Sequence, residues 1–207
     1  MVESGASEER YRTALDLAWS KLTDSNIHEV CEGAGAIFRN AEILLPHFNQ
    51  TILIDLGTRS MRIGSAELTI FDQILTLHYL LGCDRIRPTG NPISFAQAPG
   101  GEVYYSAFKK RSIDRLIEMF GDDPEGLEEV GSLLGGERLK MASAAVKLPV
   151  FPMLPVVALI WQGDDEVAAA GNILFDESAV RILSTEDLAV VASSVVARLE
   201  RALQSDQ

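Results

Sequence analysis

The sequence predicts an α+β fold in which mostly antiparallel sheet segments pack against several helices. It forms a single domain over residues 8–204, preceded by a flexible N-terminus over 1–7. Three observations lead there. Two stretches, 36–63 and 146–175, carry the short apolar runs and turn-forming boundaries of strands, and each is flanked by segments with helical spacing. Strands and helices do not alternate regularly, which disfavours a doubly wound parallel sheet. The 207 residues suit one domain, and 47% apolar with 23% charged residues is the balance of a chain that packs a core.

Residues 8–23 place Tyr11, Ala14, Leu15, Ala18, Trp19 and Leu22 three and four apart, on one face of an amphipathic helix capped by Ser4 or Ser7. From Ala36 to Ile63, runs containing Ile, Leu and Phe are separated by Arg39-Asn40, Pro46 and Gly57-Thr58-Arg59. This pattern predicts a meander of three or four antiparallel strands, clearest at Ile52–Leu56. Residues 69–82 return to helical spacing through Ile70, Ile74, Leu77, Leu80 and Leu81, with Gly82 placed to end the helix in a left-handed turn. Residues 83–103 hold Pro88, Gly90, Pro92, Pro99, Gly100 and Gly101 and read as a long loop with a short strand at Ile93–Phe95; loops of that length are often functional.

A helix follows from Tyr104 to Phe120, ending at Gly121. Asp123-Pro124 then opens a short acidic helix to about Leu134, with proline suited to the first turn and Gly135-Gly136 closing it. Strands are expected at Val146–Phe151, Val156–Trp161 and Asn172–Phe175, the last two joined as a hairpin through Gly163-Asp164-Asp165-Glu166. Ser184, with Asp187 three residues on, resembles a capping box and starts a C-terminal helix to about Leu203. Whether the two sheet regions join is not specified by the pattern.

Thirty acidic against eighteen basic residues give a net charge of −12, so the basic footprint needed for phosphate backbones is missing and nucleic acid is not an expected partner. The polar, acidic start lacks the basic-then-apolar order of a secretory signal, and no stretch approaches a membrane-spanning apolar run; the expectation is a soluble cytoplasmic protein with no membrane partner. Cys31 and Cys83 stand far apart and read as buried free thiols rather than a thiolate metal framework.

Chemistry-bearing motifs are sparse. Gly33-Ala34-Gly35 and Gly100-Gly101 lack the continuation of a phosphate-binding loop and fit turns. His28, His47 and His78 are not spaced as paired ligands on one helical turn, and Asp164, Asp165, Glu166 and Asp176 fit a solvated turn better than a cation site, so no metal site is expected. A Cys83–His78 dyad would need two side chains that diverge around one helix. The constellation that stands out is His78 and Tyr79 in an apolar helix, with Tyr104, Tyr105, Phe108, Lys109, Lys110 and Arg111 beyond the loop. Aromatic bodies with polar tips beside a cluster of bases suit an anionic, partly apolar small molecule. The ordinary alternative is a hydrogen-bonded core histidine and a solvated basic helix face.

Several segments in order resemble one family: Leu77-His78-Tyr79-Leu80, Ile93-Ser94-Phe95, Pro99-Gly100-Gly101 through Tyr104-Tyr105 to Lys109-Lys110-Arg111, Trp161-Gln162-Gly163-Asp164-Asp165-Glu166, Asn172-Ile173-Leu174-Phe175-Asp176 and Ser184-Thr185-Glu186-Asp187-Leu188. Together they are similar to the uncharacterised domain of unknown function 3786, over about residues 10–203. The resemblance implies a prokaryotic, anaerobe-associated protein without an assigned activity. Relatives carrying an extra cysteine-rich iron–sulfur segment imply a link to corrinoid or one-carbon metabolism. This chain has no such cysteine cluster, and the resemblance carries over no catalytic residues.

Three functions follow. The preferred one is a small-molecule or cofactor-binding accessory domain, cofactor unknown, with His78, Tyr79, Tyr104, Tyr105, Lys109 and Arg111 around an anionic ligand. The alternatives are a non-catalytic module that meets a protein partner through an apolar patch on its terminal helices, and an acid–base enzyme using His78 or Asp164, Asp165 and Glu166. Binding is preferred because no reactive triad, phosphate loop or ligand set is visible, which leaves the question of enzyme activity open, along with the oligomeric state. The binding idea requires His78 and the stretch from Tyr104 to Arg111 to border one cavity.

Overall fold

The computed structural model describes residues 2–205, with side chains from residue 8 onward. Helix α1 (Val2–Thr23) begins before both expected caps, Ser4 and Ser7; the side chains of residues 1–7, the segment expected to be flexible, lie outside the described ones. Its Ala18, Trp19 and Leu22 are buried against α3. Helix α2 (Ile27–Ala34) is an addition to the sequence reading. Asn26 caps it by accepting from the His28 N–H at 3.2 Å, and Gly35 ends it at φ 69°, the left-handed conformation that favours glycine.

The first sheet is a meander of five strands rather than three or four: β1 (Ile37–Arg39), β2 (Glu42–His47), β3 (Gln50–Asp55), β4 (Ser60–Ile63) and β5 (Ala66–Glu67), each antiparallel to the next. Ile43, Leu45, Ile52, Ile54 and Met61 are buried, following the two-residue alternation of a half-covered sheet. Helix α3 (Ile70–Gly82) is capped by Thr69, which accepts from the Asp72 N–H. Its end departs from expectation: Gly82 stays helical and Cys83 is the C-cap in a right-handed conformation. Gly82 serves instead a close approach, because a Cβ there would stand 1.9 Å from the Ile182 carbonyl oxygen.

The long loop contains β6 (Pro92–Ser94) and a single 3-10 turn (Phe95–Gln97). It is pinned by the Asp176 carboxylate, which accepts from the N–H groups of Thr89 at 3.0 Å, Gly90 at 2.6 Å and Ser178 at 2.9 Å. The single helix expected over 104–120 is two, α4 (Gly101–Arg111) and α5 (Ile113–Phe120). They break at Ser112, whose buried hydroxyl donates to the Phe108 carbonyl at 2.7 Å. Asp123 caps α6 (Pro124–Leu133), with proline in its first turn as expected. The second sheet comprises β7 (Glu137–Arg138), β8 (Ala144–Phe151), β9 (Leu154–Trp161) and β10 (Ala170–Asp176), with β6 as its other edge, in the order β6-β10-β9-β8-β7 and antiparallel throughout. The expected β9–β10 hairpin is present.

Helix α7 (Ala179–Ile182) leads into α8 (Thr185–Ser205), whose Leu188, Val191, Ala192, Val195, Val196 and Leu199 form a buried stripe at helical spacing. Helices α5 and α6 pack on the second sheet, and α8 packs against α3, α4, α5 and α6. The sheets stay separate but touch where the Phe48 N–H donates to the Pro149 carbonyl and the His47 Nδ1–H donates to the Val150 carbonyl at 2.6 Å. One hydrophobic cluster runs through both sheets and the helices, which makes the chain a single α+β domain. Among the described residues, no helix is long and apolar enough to cross a membrane.

Candidate functional site

Helix α4 places Tyr104, Ala107, Phe108 and Arg111 on one stripe, at the three- and four-residue intervals that share a helical face. Helix α8 turns Thr185, Glu186, Ala189, Val190 and Ser193 toward them. Between the two lies a groove of about 350 Å³ with Phe95 in its lining. Phe95 stacks on Phe108 with ring centroids 3.9 Å apart and planes within 4°. The 3-10 turn carrying Phe95 sits against the start of α4, where only a glycine at 101 fits, since a Cβ would meet the Phe95 carbonyl oxygen at 1.9 Å. Thr185 locks the same corner by donating its hydroxyl to the Pro99 carbonyl at 2.7 Å.

The electrostatics of the groove depend on which charges are already neutralised. Lys109 is ion-paired with Asp114, and Arg115 with Glu200. Arg111 and Glu186 both line the groove, and neither makes a side-chain hydrogen bond or ion pair among the described residues. The groove therefore offers an apolar body-binding surface with one unpaired guanidinium and one unpaired carboxylate, and Tyr104, 53% exposed, at its edge. A guanidinium in such a place holds a carboxylate or phosphoryl group through two parallel N–H donors.

Of the six residues expected around a ligand, Tyr104 and Arg111 come together here and the other four do not. Tyr105 is half-buried and packs toward Phe108, and Lys109 turns to Asp114. Tyr79 is fully buried: its hydroxyl donates to the Ala34 carbonyl at 2.8 Å and accepts from the Met153 N–H at 2.9 Å, and its ring stacks on Phe151. It is a core strut joining α3 to the β8–β9 turn, and burial holds its hydroxyl well above the usual range. Tyr79→Phe leaves the half-buried Met153 N–H and the buried Ala34 carbonyl without this partner, so a loss of about 2 kcal/mol is expected in denaturant unfolding, with the midpoint moved and the slope unchanged.

His78 and the α4 stretch do not border one cavity, which corrects the arrangement expected from the sequence. His78 reaches the other side of the first turn of α8, where its Nδ1 lies 3.0 Å from both carboxylate oxygens of Asp187. Thr185 and Glu186 of that turn face the groove; Asp187 faces His78. Adjacent residues on a helix diverge by roughly 100°, so one turn serves two surfaces. The hydrogen bond to Asp187 raises the His78 pKa above the usual value, with burial and Lys21 opposing.

The other candidates are dispersed. Asp164 accepts from the Glu166 and Val167 N–H groups at 2.9 and 2.8 Å, a local turn at the hairpin tip, while Asp176 pins the loop at its own strand end. Cys31 and Cys83 are both buried, and burial pushes each thiol up to about 11, which removes the thiolate that nucleophilic or metal chemistry requires. Among the described residues no group of three or more His, Cys, Asp or Glu is placed to hold a metal ion.

The class of protein defined by these features is an α+β domain of two antiparallel sheets carrying an open apolar groove between two helices. The chain belongs to the family described as Domain of unknown function (DUF3786), whose model matches residues 26–198 and so includes every groove residue from Phe95 to Ser193. No curated protein and no solved structure matches it.

Proposed function

We propose that the protein binds a small, partly apolar, anionic molecule in the α4–α8 groove. Arg111 takes the acid group, and Phe95, Phe108 and Val190 hold its body. The observation that carries this reading is the state of Arg111: in a chain with thirty acidic residues, it stands without an ion pair over an apolar surface while Lys109 and Arg115 beside it are paired. The groove volume falls in the range of roughly 300–1,000 Å³ that small ligands occupy. Glu186 on the opposite wall favours a ligand that also carries a donor, a hydroxyl or an ammonium, and opposes a second acid group. The cysteine cluster behind the corrinoid link is missing from this chain, so that link forms no part of the proposal.

Thermal unfolding of the full chain against a panel of small aliphatic and aromatic carboxylates and phosphate esters tests it. A ligand at about 100 times its Kd adds about 2.7 kcal/mol, and a protein of this size should then melt about 5–10 °C higher. Arg111→Ala removes an exposed side chain, leaves the fold intact and should weaken binding about 10- to 100-fold, the worth of a charge-assisted pair of hydrogen bonds. If no compound in the panel stabilises the wild type more than Arg111→Ala, the reading fails.

A further inference from the structure

We propose that His78 and Lys21 form a second binding site, separate from the groove, that takes a small oxyanion. Both line a concavity of about 330 Å³ whose remaining walls are mostly apolar, among them Ala14, Leu17, Leu81 and Ile182. His78 Nδ1 is committed to Asp187, while Nε2 has no partner among the described residues, and its side chain is 39% exposed. Lys21 is exposed in the last turn of α1 and its ammonium is likewise unpaired there. Asp187 is the one acid on this wall, and it is occupied: Ser184 donates its hydroxyl to Oδ2 at 2.9 Å, and both oxygens face His78 Nδ1. With His78 protonated, the concavity thus presents N–H donors from two cationic side chains and no free carboxylate acceptor, a complement to oxygen atoms bearing negative charge.

Protonation of His78 controls the site. The charged groups facing His78 are Asp187 from α8 and Lys21 from α1; α3 and α7 contribute Leu81, Gly82 and Ile182. When His78 is protonated, two cations stand against one anion and Nε2 is a donor. When it is neutral, Nδ1 keeps its proton for Asp187, Nε2 turns a lone pair to the cavity and the net charge is zero. An oxyanion therefore binds the protonated form, and by linkage it raises the His78 pKa. Lys21 lies before the span matched by the family, so half of this site comes from the first helix of this chain.

Sulfate is a suitable first probe because its charge is constant across the range where histidine titrates. The imidazole resonances of the full chain, which has three histidines, can be followed as sulfate replaces chloride at fixed ionic strength, at pH 6 and at pH 8.5. The expected result is a saturable shift of His78 at pH 6, at least tenfold weaker binding at pH 8.5, and an upward move of its titration midpoint at saturation. Lys21→Ala, a change at an exposed position that leaves the fold in place, should weaken sulfate at least tenfold, and Arg111→Ala should leave it unchanged. A parallel titration with butyrate separates the source: tighter butyrate assigns an organic acid whose chain lies on Leu17 and Leu81, tighter sulfate a sulfate- or phosphate-type group. A His78 response that fails to saturate, that chloride reproduces, or that survives Lys21→Ala undiminished overturns the site.

Discussion

Gly82→Ala is expected to destabilise the protein by about 3 kcal/mol, although helix propensity alone forecasts the opposite. Gly82 is the last residue of α3 and is helical, so replacing it by alanine should gain up to about 1 kcal/mol from the lower entropy of the unfolded chain. Against this, the added Cβ would stand 1.9 Å from the Ile182 carbonyl oxygen and 2.9 Å from its carbonyl carbon. These are backbone atoms, which cannot swing aside as a side-chain tip can. Overpacking costs about 1–3 kcal/mol where side chains yield and more where they cannot. Helix α7 must therefore move away from α3, and the chain runs from its end directly into the Ser184–Asp187 turn of α8 that holds His78. The melting temperature should fall by about 6–12 °C, at about 2–4 °C per kcal/mol for a chain this long. The His78 resonance should shift with it. A variant as stable as the wild type would show that α7 is not fixed by this contact.

Local chemistry made much of the architecture legible. Half of the expected Ser184–Asp187 capping box is realised, the Asp187 N–H donating to Ser184 Oγ at 3.1 Å while the Asp187 carboxylate takes the Ser184 hydroxyl rather than its backbone N–H, and Asp123-Pro124 opens α6 as the turn residues require. What the motif did not carry is the second use of Asp187 as the partner of His78, because that contact joins segments 109 residues apart. The elements missed were short: α2 has eight residues, β5 and β7 two each, too few to establish a period. The break at Ser112 was hidden because apolar spacing continues across it, from Phe108 to Ile113 and Leu116.

The site was half legible for a definable reason. His78 with Tyr79, and Tyr104 with Tyr105, were grouped by chemical type, whereas neighbours on a helix point about 100° apart. Helical phase separates them: 104, 107, 108 and 111 form the groove stripe, while 105 and 109 leave it, and 79 turns into the core as 78 turns out. Phe95 and the α8 wall carry no signal for the groove in sequence, since nothing local places a 3-10 turn after β6 against the last helix.

Acidification from pH 7 to about pH 4.5 should remove about 2–3 kcal/mol of stability through one residue, His47. It is buried at the seam between the sheets, among Phe48 and Phe151, with Nδ1–H donated to the Val150 carbonyl. Burial first, and then the Arg198 guanidinium stacked over the Phe48 ring at 4.9 Å, together lower its pKa to about 3 against the opposing Val150 hydrogen bond. The folded chain resists the proton and the unfolded chain accepts it near pH 6.5, so His47 contributes fully above the unfolded value. Its contribution is lost as pH falls from there toward 3, at up to 1.36 kcal/mol per pH unit. His78 works in the opposite direction: its raised folded pKa gives stability that is complete below the unfolded value and declines as pH rises. Ordinary carboxylates titrate below about pH 4.5, which leaves the upper part of the window to the histidines. His47→Gln, which can still donate to Val150, should flatten the fall in denaturation midpoint between pH 6.5 and 4.5 while the wild type keeps it. Equal slopes in the two proteins would mean that His47 is reached by protons without unfolding, and that the seam between the sheets opens to water in the native state.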